Sequence, residues 1–473
     1  MKPRAKIVAT VGPATSDPHI LKRVLEAGAD VIRINLSHGS SAEHAETFAR
    51  IRSVSAELGA HVPVILDLMG PRYRLGRMDE PKSLERGQLV VIGPPGAGID
   101  LPIDDLKLLE HLKVGNRFLV GDGLVELIVV SEEDGSFTAK VINGGSVSSR
   151  KGINLPDSDL PFTISSKDRR DLKLAVQLEA DYVAASYVGS GEDIKALRRI
   201  IRRAGGDIPL IAKLERARAI EHLHGIVSAA DAVMVARGDL GVELPFERVP
   251  LAQKRIIQLS NFYARPVITA TQMLESMIEH ARPTRAEASD VANAILDGTD
   301  AVMLSGETAV GKYPLNALKA IVNIGTEIER SGFLVRGPRY LTHPGLRSRG
   351  GASPREHAVA AATVDAVRRV NAPAIIVLTK SGFSARLVTS YRPTVPVFAV
   401  TPDAHTYRQL AAVWGVRPVL AERLEMSYER QAEFGRQCVL DSGVGEPGAS
   451  VAVTAGFPFH ESGSTNTMRL ERL

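Results

Sequence analysis

The stretch Ile211–Glu215 places a cation and a carboxylate where a metal ion and an anionic substrate could meet. It follows Pro209 and is typical of a short buried strand, in which alternate side chains share one face. Lys213 and Glu215 therefore point the same way from its C-terminal end. Such a pair suits metal-assisted chemistry on an anion, although a structural ion pair is the alternative for a lone Lys-x-Glu motif. The neighbouring strands favour the first interpretation.

Polar side chains also lie at the ends of nearly all the other predicted strands of this region. They are Arg33, Asn35, Ser37 and His38 on the second strand, Asp67, Arg72 and Arg74 on the third, Ser186 on the fourth, Arg237, Gly238 and Asp239 on the sixth, Thr271 and Gln272 on the seventh, and Ser305 and Glu307 on the eighth. Each alone has an ordinary structural explanation, such as capping a strand or closing a turn. Their recurrence at equivalent strand ends favours one shared site.

The residue types in this set favour phosphoryl transfer. Glu215 and Asp239 are hard oxygen ligands that suit Mg²⁺ or Mn²⁺ and leave positions open for substrate and water. Arg33, Arg74 and Lys213 are cations that suit a phosphate or a carboxylate. Phosphoryl transfer depends on positioning and charge neutralisation more than on a covalent nucleophile.

The elements that must position these residues alternate between strand and helix. Eight such units predict a closed (β/α)₈ TIM barrel, whose strand ends converge on one mouth. The predicted strands are Lys6–Val11, Asp30–Leu36, Val62–Leu68, Asp181–Ser186, Pro209–Leu214, Asp231–Ala236, Pro266–Thr271 and Asp300–Leu304. The predicted helices include Ala42–Leu58, Ser166–Leu178, Ile194–Arg203, Ala217–Val227, Leu251–Tyr263, Arg285–Leu296 and Leu315–Ile328. The barrel is assigned residues 1–75 and 163–335.

The alternation is interrupted after the third strand, where residues 76–162 show strand patterns only. Asp122-Gly123, Asp134-Gly135 and Asn143-Gly144 separate the apolar runs, and such dipeptides favour tight hairpins. We expect a small inserted β-barrel that forms a lid over the mouth of the main barrel.

A third domain is predicted at residues 350–473, after a linker at Ser331–Gly351 that is rich in Gly, Pro, Arg and Ser. Strands and helices alternate again, which predicts an open α/β sheet. The predicted strands are Ala374–Thr379, Val395–Val400, Val416–Leu420 and Ser450–Thr454, and the predicted helices are His357–Val370, Ser384–Tyr391, Thr406–Trp414 and Tyr428–Leu440.

The composition is that of an ordinary globular protein, with 473 residues, 44% hydrophobic and 24% charged, and a net charge of +4. The chain has no basic stripe with interleaved aromatic residues, so a nucleic-acid partner is not expected. The one cysteine, Cys438, excludes an intrachain disulfide and fits a reducing compartment. No apolar run reaches the roughly 18 residues of a membrane span, and no signal region precedes the first strand. We expect a cytoplasmic protein that does not associate with membranes.

Six motifs in the barrel resemble those of the pyruvate kinase family. They are Ala5–Ala14, Arg33–Gly39, Met234–Gly241, Ala270–Met277, Pro283–Glu287 and Met303–Thr308. They are long, follow the family's order and cover almost the whole barrel. The resemblance implies transfer of the phosphoryl group of phosphoenolpyruvate to ADP, giving ATP and pyruvate, in a homotetramer.

The resemblance also implies a role for each polar residue at the mouth. Glu215 and Asp239 would hold Mg²⁺, Lys213 would stabilise the transferring phosphoryl group, and Arg33 would hold the substrate phosphate. Gly238, Asp239 and Thr271 would line the substrate pocket. Thr271 and Ser305 would lie where the enolate is protonated, with the proton donor left open. The residues implied to face the nucleotide are Asn35, His38, Arg74 and Lys151.

One departure from the family pattern concerns the monovalent cation that most members require. The resemblance places that ion at Asn35, Ser37, Asp67 and the carbonyl of Leu68. Potassium-dependent members carry glutamate where this chain has Arg72. Its guanidinium could stand in place of the ion, so we expect that K⁺ is not required. The alternative is that Arg72 swings into solvent and the ion still binds.

The third domain contains a loop that the resemblance identifies as an effector pocket. Thr379, Ser381, Gly382 and Ser384 lie between a strand and a helix N-terminus, a common place for phosphate binding. Phe383 replaces an arginine of some members, which puts control by fructose 1,6-bisphosphate in doubt. We expect activation by another phosphorylated metabolite, with a plain helix cap as the alternative.

Two other functions are compatible with parts of the pattern. A Mg²⁺-dependent lyase or aldolase acting on pyruvate-like enolates would share the metal ligands, but it would not need the lid or the nucleotide-side residues. A catalytically silent effector-binding protein would not need Lys213, Glu215 and Asp239, all of which are intact.

Overall fold

The chain folds into a closed barrel, an inserted β-domain and a C-terminal α/β domain, which confirms the predicted fold class. The computed structural model describes residues 2–60, 62–336, 353–421, 427–458 and 465–473. The predicted linker Ser331–Gly351 lies outside these residues from 337 onward.

The first part of the barrel alternates strand and helix up to the insertion. Its elements are β1 (Lys6–Val11), α1 (Pro18–Glu26), β2 (Val31–Asn35), α2 (Ser41–Glu57) and β3 (Val64–Asp67). Asp17 begins α1 by accepting hydrogen bonds from the first-turn amides of His19 and Ile20, and Pro18 follows it at the first helical position.

The lid is built almost entirely of β-strands. Its elements are β4 (Tyr73–Arg74), β5 (Lys82–Leu84), β6 (Leu89–Gly93), β7 (Leu101–Pro102), α3 (Leu106–Leu109), β8 (Arg117–Val120), β9 (Val125–Glu133), β10 (Ser136–Asn143), β11 (Gly145–Val147) and β12 (Gly152–Asn154). A seven-stranded sheet in the order β4-β12-β8-β9-β10-β6-β7 and a two-stranded sheet of β11 and β5 enclose one apolar core. The chain enters the lid's sheet at Tyr73.

Two of the three predicted hairpins of the lid are present. Asp134 and Gly135 adopt positive φ values of 49° and 74° between the paired strands β9 and β10, and Asp122-Gly123 joins β8 to β9. The third prediction, at Asn143-Gly144, is wrong because β11 pairs with β5 and not with β10. Gly144 lies so close to β5 that a Cβ atom would be 2.3 Å from the carbonyl oxygen of Leu84.

The second part of the barrel supplies the remaining five strands. Its elements are α4 (Ser166–Gln177), β13 (Tyr182–Ala185), α5 (Gly191–Arg203), β14 (Leu210–Leu214), α6 (Ala217–Glu221), α7 (Leu223–Ala229), β15 (Ala232–Ala236), α8 (Arg237–Glu243), α9 (Val249–Phe262), β16 (Val267–Ala270), α10 (Arg285–Leu296), β17 (Ala301–Leu304), α11 (Gly306–Ala309) and α12 (Pro314–Arg330). The predicted helix Ala217–Val227 is two short helices, α6 and α7, which meet at His222. A 3₁₀ turn at Phe333–Arg336 follows α12.

All barrel strands are parallel and close in the order β1-β17-β16-β15-β14-β13-β3-β2. Alternate residues face opposite sides: Val8 packs in the interior of the barrel, whereas Ile7 and Ala9 pack against the surrounding helices. Both faces of each strand are therefore buried, which explains the nearly continuous apolar runs in the sequence.

Four aspartates stand immediately before alternate barrel strands, at the end opposite the mouth. Each accepts a hydrogen bond from a backbone amide at the start of the neighbouring strand. The pairs are Asp30 with Ile7 (2.9 Å), Asp181 with Val64 (2.8 Å), Asp231 with Leu210 (2.9 Å) and Asp300 with Val267 (2.9 Å). We call these four residues the aspartate ring. It joins the eight strands in pairs at the base of the barrel.

The C-terminal domain is an α/β sheet that packs against the base of the barrel. Its elements are α13 (Pro354–Arg369), β18 (Ile375–Leu378), α14 (Phe383–Ser390), β19 (Val397–Thr401), α15 (Ala404–Leu410), β20 (Val416–Leu420), α16 (Tyr428–Asp441), β21 (Ser450–Ala455) and β22 (Thr467–Arg472). The sheet order is β20-β19-β18-β21-β22, and among these described strands only β22 is antiparallel to its neighbour. The prediction missed β22, because its charged sequence lacks the apolar runs of a buried strand. No helix within the described ranges is long and apolar enough to cross a membrane.

Candidate active site

Lys213 lies at the centre of a buried group of polar side chains at the barrel mouth. It is near the end of β14, and its Nζ lies 2.9 Å from Glu215 Oε1 and 3.1 Å from Asp67 Oδ1. It also donates a 2.7 Å hydrogen bond to Ser186 Oγ. Burial alone would lower the pKa of Lys213, but the two carboxylates raise it above its usual value. Lys213 is therefore a permanent positive charge in a partly dry site.

Asp67 holds a second cation next to Lys213. Arg33, on the neighbouring strand β2, donates from Nε to Asp67 Oδ2 at 2.7 Å and from Nη1 to Thr10 Oγ1 at 3.1 Å. Burial would raise the pKa of Asp67, but Lys213 and Arg33 hold it below its usual range. One ionised carboxylate thus fixes two positive charges side by side, an arrangement that suits a phosphate.

Glu215 and Asp239 supply the carboxylates of a candidate divalent-metal site. Glu215 follows β14, Asp239 lies in α8 after β15, and these two strands are paired. Burial raises the pKa of Glu215 to about 7, with Asp239 adding to the rise and Lys213 opposing it. Within the described residues no three His, Cys, Asp or Glu side chains form a metal-binding group. The two carboxylates fit Mg²⁺ or Mn²⁺, which take one or two carboxylates and complete their shell with substrate and water.

The backbone of Thr271 is strained at the mouth. Its φ of 64° is rare for a β-branched residue. Thr271 Oγ1 accepts a 2.8 Å hydrogen bond from the Gly238 amide, and Arg237 donates to the carbonyls of Thr271 at 2.8 Å and Gln272 at 3.1 Å. Backbone strain of this kind concentrates at functional sites. Arg237 was identified only as a strand-end residue, and the structure shows that it holds this turn.

Ser305 carries a hydroxyl group that a bound ligand could use. Its Oγ is buried and has no hydrogen-bond partner among the described residues, while its amide donates to Glu307 Oε2 at 2.7 Å. A buried polar atom without a partner costs about 1–3 kcal/mol, so such atoms are normally satisfied in the working complex.

The four residues predicted to face the nucleotide lie in two places. Arg74 is in β4 and Lys151 precedes β12, and these strands pair where the lid joins the barrel. Arg74 Nη1 donates to the carbonyl of Arg150 at 2.9 Å. Asn35 is the last residue of β2 on the barrel and His38 follows that strand, and no hydrogen bond or ion pair among the described residues connects them to the lid pair.

Three of the four predicted monovalent-cation positions already have protein partners. Asp67 is bound by the two cations described above. The carbonyl of Leu68 accepts from Ser186 Oγ at 2.8 Å, and Asn35 Oδ1 accepts from the Ser37 amide at 3.1 Å. Three of these four groups thus already make contacts within the protein.

Arg72, whose guanidinium was expected to occupy the place of the ion, contacts Tyr187 and Asp239. Arg72 Nε donates to Tyr187 Oη at 3.1 Å, and Arg72 Nη2 lies 3.5 Å from Asp239 Oδ1. The reason is electrostatic: Asp67 is already neutralised, whereas Asp239 offers an incompletely paired carboxylate. Tyr187 was not identified from the sequence, although its place directly after Ser186 was a usable signal.

A cleft between the lid and the barrel opens beside Arg72 and Tyr187. Its lining includes Arg72, Tyr187, Asn154 and Glu243. Asn154 of the lid donates to Glu243 Oε1 at 3.2 Å. Burial raises the pKa of Glu243. The lid therefore contacts α8, the helix that carries Asp239.

The predicted effector loop lies in the C-terminal domain. Gly382 has a φ of 76°, and its amide donates to Thr379 Oγ1 at 3.0 Å. Ser384 Oγ accepts from Thr465 Oγ1 at 2.6 Å. Two of the predicted hydroxyl groups are thus engaged within the domain, and Ser381 is the exposed member of the four.

Comparisons with known proteins give a consistent result over the whole chain. The family model described as "Pyruvate kinase, barrel domain" matches residues 2–318, and "Pyruvate kinase, alpha/beta domain" matches residues 357–471. A pyruvate kinase of Agrobacterium vitis is 40% identical over 99% of this chain and 98% of its own length. Pyruvate kinases of Mycobacterium intracellulare and Mycobacterium tuberculosis are 41% and 40% identical over 100% of this chain and 99% of their own lengths.

Proposed function

The chain belongs to the pyruvate kinase family and is a phosphotransferase, and we propose that it transfers the phosphoryl group of phosphoenolpyruvate to ADP, giving ATP and pyruvate. The observation that carries the proposal is the placement of Lys213 and Arg33 side by side on Asp67, next to the carboxylates Glu215 and Asp239. Two fixed cations beside a divalent-metal site are what the transfer of a phosphoryl group between two anions requires.

Each side chain at the mouth has a role in this reaction. Arg33 and Lys213 bind the substrate phosphate, and Lys213 then neutralises charge that develops on the transferring group. Glu215 and Asp239 would hold Mg²⁺ or Mn²⁺. When bound, the metal ion neutralises phosphoryl and enolate charge. The family generally needs a divalent metal, and magnesium is our specific assignment.

The other end of the substrate lies against Gly238 and Thr271. The Gly238 amide and the Thr271 hydroxyl are aligned by their mutual hydrogen bond and by Arg237. Thr271 and Ser305 supply the hydroxyl groups at the position where the enolate becomes pyruvate. Either could take part in delivering the proton, and the donor stays open.

The nucleotide lies between Asn35 and His38 on the barrel and Arg74 and Lys151 at the lid. Closing the lid brings the two groups towards each other and excludes water, which limits hydrolysis of the transferring phosphoryl group. The Asn154 contact with Glu243 joins this movement to the helix that carries Asp239.

A coupled assay with phosphoenolpyruvate, ADP and Mg²⁺ tests the proposal directly. Pyruvate formation that requires ADP, and equimolar ATP formation, are expected. Pyruvate release from an enolate donor without ADP would instead indicate a lyase or aldolase. Ligand binding without any turnover would indicate a silent effector-binding protein.

We further propose that turnover does not require K⁺. The support is that Asn35, Asp67 and the Leu68 carbonyl have protein partners, while Arg72 adds a positive charge beside Asp239.

Regulation and assembly are also proposals. A phosphorylated metabolite, such as a sugar monophosphate or AMP, is proposed to activate the enzyme through the loop of Thr379, Ser381, Gly382 and Ser384. We expect such compounds to raise activity or the melting temperature, and a screen in which none changes either would refute the site. A cytoplasmic homotetramer is the proposed form, to be checked by light scattering of the purified protein.

A further inference from the structure

We propose that Tyr187 is a positioning residue that ties the guanidinium of Arg72 to the candidate metal ligand Asp239. The inference rests on the proposed function in one respect, that Asp239 binds the divalent metal. It goes further by giving Arg72 a defined place and by naming the group that keeps it there. In this arrangement Arg72 is a second cation at the metal site, and Tyr187 determines where its charge lies.

The hydroxyl group of Tyr187 bridges the two charged side chains. It accepts from Arg72 Nε at 3.1 Å and donates to Asp239 Oδ1 at 3.3 Å. The direct approach of Arg72 Nη2 to the same carboxylate oxygen is longer, at 3.5 Å. A phenylalanine would fill the same space but could make neither hydrogen bond. The bridge therefore depends on one oxygen atom.

The backbone of Tyr187 contacts the other candidate metal ligand. Its amide donates to Glu215 Oε2 at 2.6 Å. Its φ of 59° lies in the left-handed region, which a bulky residue rarely adopts. This conformation directs the amide to Glu215 and the ring to Asp239, so that one residue contacts both carboxylates. Strained backbone of this kind is typical of functional sites.

The packing around the ring leaves it little freedom. Gly70 has a φ of 68°, and a Cβ atom there would lie 2.8 Å from Ser186 Cβ and 3.1 Å from Tyr187 Cδ2. The side chain of Arg72, in contrast, is 39% exposed. A long side chain with access to water samples many rotamers unless a partner restrains it. The rigid ring is thus the anchor, and Arg72 is the group that it restrains.

The bridge has opposite consequences for the metal and for the substrate. A positive charge beside Asp239 repels a divalent cation in the substrate-free enzyme. The same charge attracts phosphoenolpyruvate, which is anionic at both its phosphate and its carboxylate. Releasing Arg72 should therefore strengthen metal binding in the absence of substrate and weaken substrate binding. A tyrosine that only filled space would produce neither effect when replaced by phenylalanine.

The test measures Mn²⁺ binding to the substrate-free, full-length enzyme by electron paramagnetic resonance. The variants are Tyr187→Phe, Arg72→Gln and the double variant. We expect each single variant to bind Mn²⁺ about threefold or more tightly, and the double variant to match Arg72→Gln, because residues that act through one contact are not additive. The KM for phosphoenolpyruvate should rise in Tyr187→Phe with a smaller change in kcat.

Tyr182→Phe is the matched control. Tyr182 is a buried barrel tyrosine whose hydroxyl donates to the Gln409 carbonyl at 3.1 Å, at the base of the barrel. Its variant should leave Mn²⁺ affinity unchanged. Unchanged or weaker Mn²⁺ binding in Tyr187→Phe, or independent additive changes in the double variant, would overturn the inference. Absence of pyruvate kinase activity in the wild type would instead overturn the proposed function, because the Mn²⁺ measurement needs no turnover.

Discussion

The mouth and the base of the barrel contain the same residue types, but these residues serve different purposes. At the mouth, Asp67 is buried and bound by the two cations Arg33 and Lys213. At the base, Asp181 is buried and bound by Arg52 and Arg408, each at 2.7 Å. Both carboxylates join segments that are distant in sequence. They differ in what surrounds them.

The polar groups at the base have their hydrogen-bond partners within the protein, whereas some of those at the mouth do not. Asp181 accepts hydrogen bonds at both oxygens, including one from the Val64 amide. At the mouth, Glu215 has a pKa raised to about 7 by burial, the Ser305 hydroxyl has no partner among the described residues, and Thr271 is strained. In a (β/α)₈ barrel the carboxyl ends of the strands carry chemistry and the amino ends carry stability. The contrast shows this division in one molecule.

The aspartate ring explains how the base is organised. Its members Asp181, Asp231 and Asp300 also bind arginine side chains, and two of these, Arg408 and Arg392, belong to the C-terminal domain. The ring therefore fastens that domain to the strand starts. If the contrast between the two ends is correct, substitutions at the mouth should change turnover and substitutions at the base should change stability.

The largest effect is expected at Lys213. Lys213→Met should lower turnover by about a hundredfold or more, because a preorganised charge in a dry site contributes roughly 3 kcal/mol or more. The measurement is kcat in the coupled assay, with circular dichroism to establish folding. Lys195→Met, at an exposed helix position paired with Glu192, is the matched control and should be active. A folded Lys213→Met enzyme with near-normal turnover would contradict the assignment.

The next effect should appear at the base and in stability alone. Asp181→Asn leaves Arg52 and Arg408 without their counter-charge, and should cost about 2–3 kcal/mol, less than a fully buried pair because both arginines are partly exposed. The measurement is the thermal unfolding transition, with kcat as the second readout.

Asp67→Asn is the comparison variant for this prediction. It changes the same group at the mouth and should lower kcat more than it lowers the melting temperature. If Asp181→Asn reduced kcat as strongly as Asp67→Asn does, the two ends of the barrel would not be functionally distinct.

A smaller effect is expected for potassium at Arg72. The wild type should be nearly fully active without K⁺, whereas Arg72→Glu should gain a requirement for it, with stimulation of about tenfold or roughly 1.4 kcal/mol. The variant removes a positive charge beside Asp239 and introduces a carboxylate, and a monovalent cation can neutralise that added negative charge. Initial rates are measured in sodium-free Tris buffer with and without KCl at matched ionic strength. Strong stimulation of the wild type would show that an ordinary cation site is present.

The smallest effect is expected in the pH dependence of stability, through the titration of His357 near the base. His357 stacks on Phe262 with ring centroids 5.4 Å apart, and its Nδ1 lies 2.9 Å from Tyr391 Oη. Burial lowers the pKa of His357 below its ordinary value of 6.5. As pH falls below 6.5, the unfolded chain therefore takes up a proton before the native state does, and stability is lost down to the native pKa.

His357→Gln should remove this part of the pH dependence. The melting temperature of the wild type should fall more steeply between pH 7 and pH 5 than that of His357→Gln, while turnover near neutral pH is the same in both. Parallel melting curves across that range would show that His357 does not contribute.

The sequence alone predicted the barrel and placed Lys213, Glu215 and Asp67 together at its mouth. Continuous apolar runs indicated strands buried on both faces, and eight of them close the barrel. Because side chains alternate along a strand, Lys213 and Glu215 had to share a face, and their 2.9 Å ion pair agrees with this. The dipeptides Asp122-Gly123 and Asp134-Gly135 specified hairpins through their preference for positive φ. These are local properties.

Only the tertiary structure decided the contacts between segments that are far apart in the chain. The partners Arg72 and Tyr187 are 115 residues apart, and Arg408 and Asp181 are 227 apart. An arginine pairs with the nearby carboxylate that is least neutralised by other cations. Barrel closure and strand register determine which carboxylates are already neutralised. Local patterns could place Arg72 at the mouth. They could not place its guanidinium on Asp239, because that position results from the competition among all the charges that the fold brings together.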